Sequence, residues 1–385
     1  LPKQQSPLYQ LSYWEQASFF SNIDIIIVGA GIVGLSAALR ARELAPKAKI
    51  LILERGALPA GASTRNAGFA CFGSVSELLD DMAEDPEEKV WALVERRWKG
   101  LQRLRNRLGD GALRYEPLGG YELFRAEEAQ QYEECAEHIA GFNQRLQPIT
   151  GLKATFQQAH EACDGFGLSG VQYLIKNQAE GQIHTGEMVS ALLDKARAAG
   201  INIYTGLGVE TLTDTGSEVE VETTLGWSVN ARQVLVCTNG FARQLLPDLE
   251  VRPARNQVLI TEPIPQLKVR GAFHYDRGYF YFRNIDNRIL LGGGRNLDTE
   301  VETTSEFGTT PIIRSALVRL LQEVILPGQE VKVTHWWSGI LGVGQHKRPV
   351  ITPVSDRIAA AVRLGGMGVA IGSLVGEEGA ELMLR

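Results

Sequence analysis

The sequence predicts an α/β fold of the open, nucleotide-binding kind, joined to a second region of mixed helix and strand. Three observations carry this prediction. Over residues 24–54 a strand, a glycine turn, a helix and a second strand ending in an acid follow one another. A second glycine-rich turn, at 365–372, opens the last helix-like run of the chain. Between them, 86–146 repeats with helical spacing, whereas 251–294 alternates like strands.

Length and composition set the bounds. The 385 residues fit one large domain or two interlocked ones, and with 44% hydrophobic and 22% charged residues the chain falls in the ordinary globular range. The net charge is −6 and the Lys and Arg residues are scattered, which argues against nucleic acid as the main partner. Cys71, Cys135, Cys163 and Cys237 show neither CxxC pairing nor metal-ligand spacing, so free thiols in a reducing compartment, the cytoplasm, are expected, with no metal. The apolar stretch 23–39 carries recurrent glycines that neither a signal peptide nor a membrane span needs. Residues 1–21 form a mostly polar extension in which Tyr13, Trp14, Phe19 and Phe20 are able to pack onto the body.

The run 24–28 (DIIIV) suits a central parallel strand covered on both faces and leads into Gly29-Ala30-Gly31-Ile32-Val33-Gly34. Gly29 permits the tight turn, Gly31 lets the backbone approach a pyrophosphate, and Gly34 lets the next helix pack on the strand. That helix, starting about Ile32, aims its amides and positive dipole end at the phosphates. A second strand (KILIL, 49–53) ends at Glu54, twenty residues after Gly34 and spaced to accept the adenosine ribose hydroxyls, with Arg55 beside it.

A second small-residue segment follows: Gly61-Ala62-Ser63-Thr64-Arg65-Asn66-Ala67-Gly68-Phe69. A simple nicotinamide enzyme does not need it. It suits a loop wrapping a longer cofactor, with Arg65 and Asn66 reaching phosphate or ring heteroatoms. Further on, a helix over 187–199 and a short strand over 201–204 return the chain to the first sheet, where Val209 falls at the adenine edge. The strand 233–236 runs into Cys237-Thr238-Asn239-Gly240, a turn at the carboxyl end of the sheet, where ligands bind in such folds. Last, Gly366-Met367-Gly368-Val369 at a helix start puts backbone amides beside an atom that gains negative charge, as the flavin N1–O2 locus does on reduction. This last turn selects a flavin.

These pieces, in this order, resemble the D-amino-acid-oxidase-like FAD-dependent oxidoreductases, the glycine and sarcosine oxidase type, from about residue 24 to 384. GASTRNAGF (61–69), CTNGF (237–241) and YFYFRNIDNRILLGGG (279–294) are most similar to the γ-glutamylputrescine oxidase branch. The resemblance implies a doubly wound Rossmann-like FAD-binding domain interleaved with an α+β substrate domain built on a mostly antiparallel sheet. We place the former at 22–88, 166–245 and 335–385, and the latter at 89–165 and 246–334. It also implies hydride transfer from the carbon beside an amine nitrogen of a small amine or amino acid to flavin N5, with later imine hydrolysis and with oxygen or another acceptor taking the electrons. The sarcosine oxidase branch carries its flavin on a late cysteine. Here no cysteine follows Cys237, so non-covalent FAD is expected. Leu290 stands where that branch has an oxygen-activating lysine.

For catalysis, period-two alternation sets Tyr279, Tyr281 and Arg283 on one strand face and Phe280 and Phe282 on the other. Arg283 either holds a substrate carboxylate or pairs with a surface acid. The segment 335–348 (HWWSGILGVGQHKR) resembles the family's Trp-x-Gly strand, which puts Gly339 near the ring, offers Trp336 or Trp337 for stacking, and offers His346, Lys347 or Arg348 for contact with substrate or flavin. His274 and Tyr275, on an expected loop, are weaker candidates. Two other readings share these residues: a flavin-bearing electron-transfer or partner-docking subunit, and a 2-hydroxy-acid dehydrogenase of the same fold. Substrate identity and oligomeric state are left open.

Overall fold

The structure, a computed structural model, describes residues 9–385. The apolar strand Ile23–Val28 lies in the middle of an eight-stranded sheet, parallel to Ile50–Glu54 on one side and to Ser228–Val236 on the other. Asn202–Thr205 extends the parallel part beyond Ile50–Glu54, and Ile358–Val362 extends it beyond Ser228–Val236. Apart from Asp24 the strand is apolar, because both faces are covered. Ile25 and Ile27 face a core shared with the helices Ile32–Leu44, Thr185–Ala198 and Gly368–Met383. Ile26 and Val28 face Val219 and Val221 of the antiparallel strand Val219–Thr223. Gly34 sets the distance between the first helix and this sheet: a Cβ there would lie 2.0 Å from the Gly29 carbonyl oxygen.

The second sheet also has eight strands, in the order Val333–Val343, Arg252–Thr261, Arg288–Gly293, Phe280–Ile285, Ala272–Tyr275, Gly120–Arg125, Val171–Asn177, Phe156–Gln158. Every pairing is antiparallel except that between Ala272–Tyr275 and Gly120–Arg125. Phe280 and Phe282 fall on one face, packed with Phe273 against the helix Pro311–Leu320, and Tyr281 falls on the other. The expected alternation is therefore realised.

Sheet membership moves two of the expected boundaries. Val171–Asn177, assigned above to the nucleotide-binding part, pairs with Gly120–Arg125 in the second sheet, and Val333–Val343 pairs along its length with Arg252–Thr261 there. Neither strand carries a local signal naming its sheet, since an alternating strand reads the same against either core. The helix Glu87–Leu108, placed with the substrate part, sends Leu93, Leu101 and Leu104 into the core under Gly368–Met383. His274 and Tyr275 lie on a strand rather than on a loop.

Residues 1–8 of the N-terminal extension lie outside the described residues. Within the rest, Phe20 packs against Tyr204 and Trp227, whereas Tyr13 and Trp14 are about three-quarters exposed. No described helix is long and apolar enough to cross a membrane.

Candidate functional site

A cavity of about 710 Å³ runs between the two sheets, at the carboxyl ends of Ile23–Val28, Ile50–Glu54 and Ser228–Val236. Its first end is built mainly from backbone. Gly29, Gly31 and Ile32 line it, and the Ile32 amide donates to Ser63 Oγ at 2.9 Å, which ties the first helix to the second glycine segment. Buried Glu54 accepts from the Ala30 amide at 3.0 Å and from the Gly56 amide at 2.9 Å. Its carboxylate is thus fixed at the mouth of the turn, with Arg55 and Val209 alongside.

Two turns far apart in sequence are tied together here. Asn239, in the left-handed region at φ 47°, accepts on Oδ1 from the Arg363 and Leu364 amides at 3.1 and 3.3 Å. The turn Gly366-Met367-Gly368-Val369 is thereby held beside Thr238, and all five residues line the cavity. Gly240 lies behind, where a Cβ would sit 2.3 Å from the Leu341 carbonyl oxygen, so it packs the turn against the second sheet. Gly34 likewise has a packing role.

The loop 61–69 spends most of its polar capacity on itself. Asn66 donates to the Ala62 and Ser63 carbonyls and accepts from the Gly68 amide. Arg65 donates to the Ala60 and Ser338 carbonyls and lies 4.3 Å from the Phe307 ring centre. Trp337 Nε1 donates to the Arg65 carbonyl at 3.0 Å. These side chains hold Gly339 and the loop in register rather than reaching outward. A loop with few apolar anchors needs such internal bonds to keep one shape.

The residues present fit FAD. No atom lies within 4 Å of where a Cβ would stand on Gly61 or Gly366, so backbone is open to a ligand on both sides. Thr238 and Asn256 both line the cavity, and their buried Oγ1 and Oδ1 atoms have no hydrogen-bond partner among the described residues.

The second end is built from side chains. Tyr281 lies flat over Gly292, where a Cβ would come within 2.7 Å of the ring, and receives a hydrogen bond on Oη from Asn256 Nδ2 at 3.3 Å. Burial pushes the Tyr281 phenol up, so it stays a proton donor. Phe69 meets Tyr281 edge-on at 5.5 Å and His274 at 5.2 Å. Ala67, Val258 and Leu290 pack together beneath this wall. Arg295, just after the strand Arg288–Gly293, is half-buried, lies 5.8 Å from the Tyr279 ring centre and makes no ion pair among the described residues.

Charge is concentrated on the opposite side. Ser74 and Glu77 form a capping box that starts the helix Val75–Glu84, and buried Glu122 accepts from Ser74 Oγ and the Val75 amide. The helix turns Glu77, Asp80 and Asp81 toward the cavity, where Arg277 stands 3.6 Å from Asp80 and Lys347 2.5 Å from Asp81. His274 Nε2 donates to buried Glu180 at 3.0 Å, and its Nδ1 is 3.9 Å from Glu77. Burial opposes charge on this ring, but Glu180, with Glu77 and Glu122 behind it, outweighs burial and raises its pKa to about 9. Cys71 Sγ lies within 4.8 Å of ligand atoms of both residues.

The structure separates the three sequence-selected catalytic residues. Tyr281 lines the cavity. Arg283 does not: it is 3% exposed and donates through Nη2 to the Ile183 carbonyl at 2.9 Å, behind Gly68. Alternation fixes its face correctly, but a position two residues on lies about 7 Å further along the strand. Arg348 faces Asp85 at 3.7 Å, outside the cavity, because the turn after Val333–Val343 carries it past the rim. Trp336 packs away from the site, with Arg314 at 4.6 Å from its ring centre. Asn256, Arg295 and the acids of Val75–Glu84 escaped sequence reasoning. Of these only Glu77 has a local sequence signal that could have found it, the capping pattern Ser74-x-x-Glu77.

A profile of the family described as FAD dependent oxidoreductase matches residues 24–382. A probable oxidoreductase OrdL from Rhizobium meliloti is 26% identical over 381 residues, with 94% of this chain and 83% of that protein covered. Among solved structures, L-proline dehydrogenase from P. horikoshii and glycine oxidase from Bacillus cereus share the fold, each with a TM-score of 0.74 and 19% identity. Each comparison covers 94% of this chain, and 93% and 95% respectively of the other.

Proposed function

The chain belongs to the FAD dependent oxidoreductase family, and from that premise we propose that it oxidises the carbon–nitrogen bond of a small amine that also carries a carboxylate. Bound FAD would supply a two-electron acceptor for hydride from the carbon beside the nitrogen, the imine then being hydrolysed by water. The observation that carries this reading is that two groups lining the same cavity as Tyr281 are uncommitted among the described residues: Arg295 makes no ion pair and Asn256 Oδ1 accepts no hydrogen bond.

Each group has a matching task. Arg295, unpaired with any carboxylate among the described residues, presents a planar fork to a substrate carboxylate. Asn256 Oδ1 accepts an amine N–H. Phe69 and Val258 keep water off the reacting carbon, and Tyr281 donates its phenol proton to an oxygen of the substrate. Arg295 thus takes the place first assigned to Arg283.

Glu54, Gly29, Gly31 and the Ile32 amide would hold the nucleotide, and the Gly366–Val369 turn the flavin end. Cys71 and Cys237, which line the cavity, are buried thiols whose pKa burial pushes up, and a thiol kept protonated is a poor nucleophile. Their burial supports non-covalent attachment of the flavin. Anaerobic mixing of the FAD-loaded protein with amines, amino acids and 2-hydroxy acids tests the reading. Bleaching of the flavin is expected with carboxylate-bearing amines. Bleaching by hydroxy acids alone, or by none of the panel, refutes it.

A further inference from the structure

Arg283 poses a separate question. A guanidinium buried this deeply is costly unless an acid accompanies it, yet among the described residues no carboxylate lies within ion-pair distance of it. Its Nη2 is satisfied by the Ile183 carbonyl, but its Nε has no partner among the described residues. Burial lowers its pKa, to about 10, so it still carries its charge at neutral pH.

Arg283 borders a second cavity, of about 480 Å³, on the side of the loop 61–69 away from the substrate wall. Its charged neighbours there are nearly all committed. Arg114 pairs with Asp286 at 2.7 Å, Asp110 pairs with Arg105 at 2.8 Å, and Glu116 accepts from Gln182 Nε2 at 2.6 Å. His184 accepts on Nδ1 from the Glu187 amide as the cap of the helix Thr185–Ala198, whose positive dipole end therefore faces this cavity. Exposed Arg270, on the rim, has no ion pair among the described residues. Two unpaired arginines thus face one hydrogen-bonded glutamate.

We propose that this second cavity is an anion site, distinct from the cofactor and substrate cavity, in which Arg283 and Arg270 bind a small carboxylate or phosphate. The site is wired to the cofactor loop by a short chain of bonds. Arg283 holds the Ile183 carbonyl, and the Ile183 amide donates to the Gly68 carbonyl at 2.8 Å. Gly68, at φ +76°, lies against both: a Cβ there would stand 2.4 Å from the Ile183 carbonyl oxygen and 3.0 Å from Arg283 Nη2. An anion drawing on Arg283 therefore acts on the loop that lines the flavin end, and its binding is expected to change how firmly FAD is held.

The test is a titration of the FAD-saturated protein with inorganic phosphate and, separately, with succinate, at ionic strength held constant with sodium chloride. Saturating FAD keeps the probes out of the pyrophosphate turn. Calorimetry and the temperature of flavin release are read together. Saturable binding by either probe, weakened about 10-fold or more in Arg270→Ala and in Arg283→Met, is expected from loss of one charge-assisted contact. Phosphate alone saturating identifies a phosphate ligand, and succinate alone a carboxylate; either supports the site when Arg270→Ala weakens the binding, which separates it from carboxylate binding at the Arg295 wall. Arg270 is exposed, so its variant remains informative even where Arg283→Met fails to fold. No saturation by either probe, or unchanged affinity in Arg270→Ala, overturns the proposal. Amine-driven flavin bleaching is a separate readout and does not depend on the outcome.

Discussion

The two ends of the main cavity are built on opposite principles. At the nucleotide end the lining is backbone, and the polar side chains nearby, Glu54, Ser63, Asn66 and Asn239, are tied to amides or carbonyls of the turns themselves. At the substrate end the lining is side chains from distant segments, and among the described residues Arg295 makes no ion pair and Asn256 Oδ1 accepts no hydrogen bond. The first end is a mould that tolerates little change, because its shape follows from where a Cβ cannot go. The second is a surface whose selectivity is open to alteration one residue at a time.

The contrast breaks most visibly at Gly34. Replacing it with valine drives a side chain into the Gly29 carbonyl, and we expect a loss on the order of 3 kcal/mol together with loss of bound FAD, read by denaturant unfolding and flavin absorbance. A Gly34→Val protein that folds and binds FAD normally would show that backbone shape does not define this end. At the other end, Arg295→Met should retain FAD. Its kcat/KM for carboxylate-bearing amines should fall about 10- to 100-fold, the loss of a charged hydrogen-bonded contact, and an unchanged value removes Arg295 from substrate binding.

His274 gives a pH signature of the substrate end. Its pKa is raised in the folded protein, so its contribution to stability is complete below the unfolded value near 6.5 and drains away as pH climbs through about 9. The melting temperature should accordingly decline over that interval, and His274→Gln should flatten the decline. An equally steep decline in the variant assigns it to other groups. The smallest effect belongs to Lys347→Ala, whose exposed ammonium faces Asp81 at the rim. A stability change within about 0.5 kcal/mol is expected, and a larger one in urea titration would mean that the rim is structural.

The same contrast explains what could be read from sequence. Gly29, Gly31 and Gly34 announce themselves because steric exclusion acts through the backbone, and a missing side chain at fixed spacing is visible in one chain. The alternation around Tyr281 gave the correct face for the same reason. It could not say that Arg283 lies beyond the cavity, since that depends on where Ile183 and Gly68 cross the strand. Arg295 had no signal at all. It follows Gly294, at φ +77°, and a residue after a reversal of the chain belongs to no periodic pattern. Arg65 and Asn66 were recognised as loop residues, but their bonds to neighbouring carbonyls appear only once the loop has closed.

One spectral titration probes most directly whether the backbone end and the side-chain end form a single site. A small carboxylate that lacks an amine and so cannot react is added to the FAD-loaded protein, and the visible absorption of the flavin is followed. Saturable perturbation of the flavin band, lost in Arg295→Met, is the predicted result. An unperturbed band up to concentrations at which carboxylate-bearing amines saturate would mean that the wall formed by Tyr281, Asn256 and Arg295 does not border the flavin.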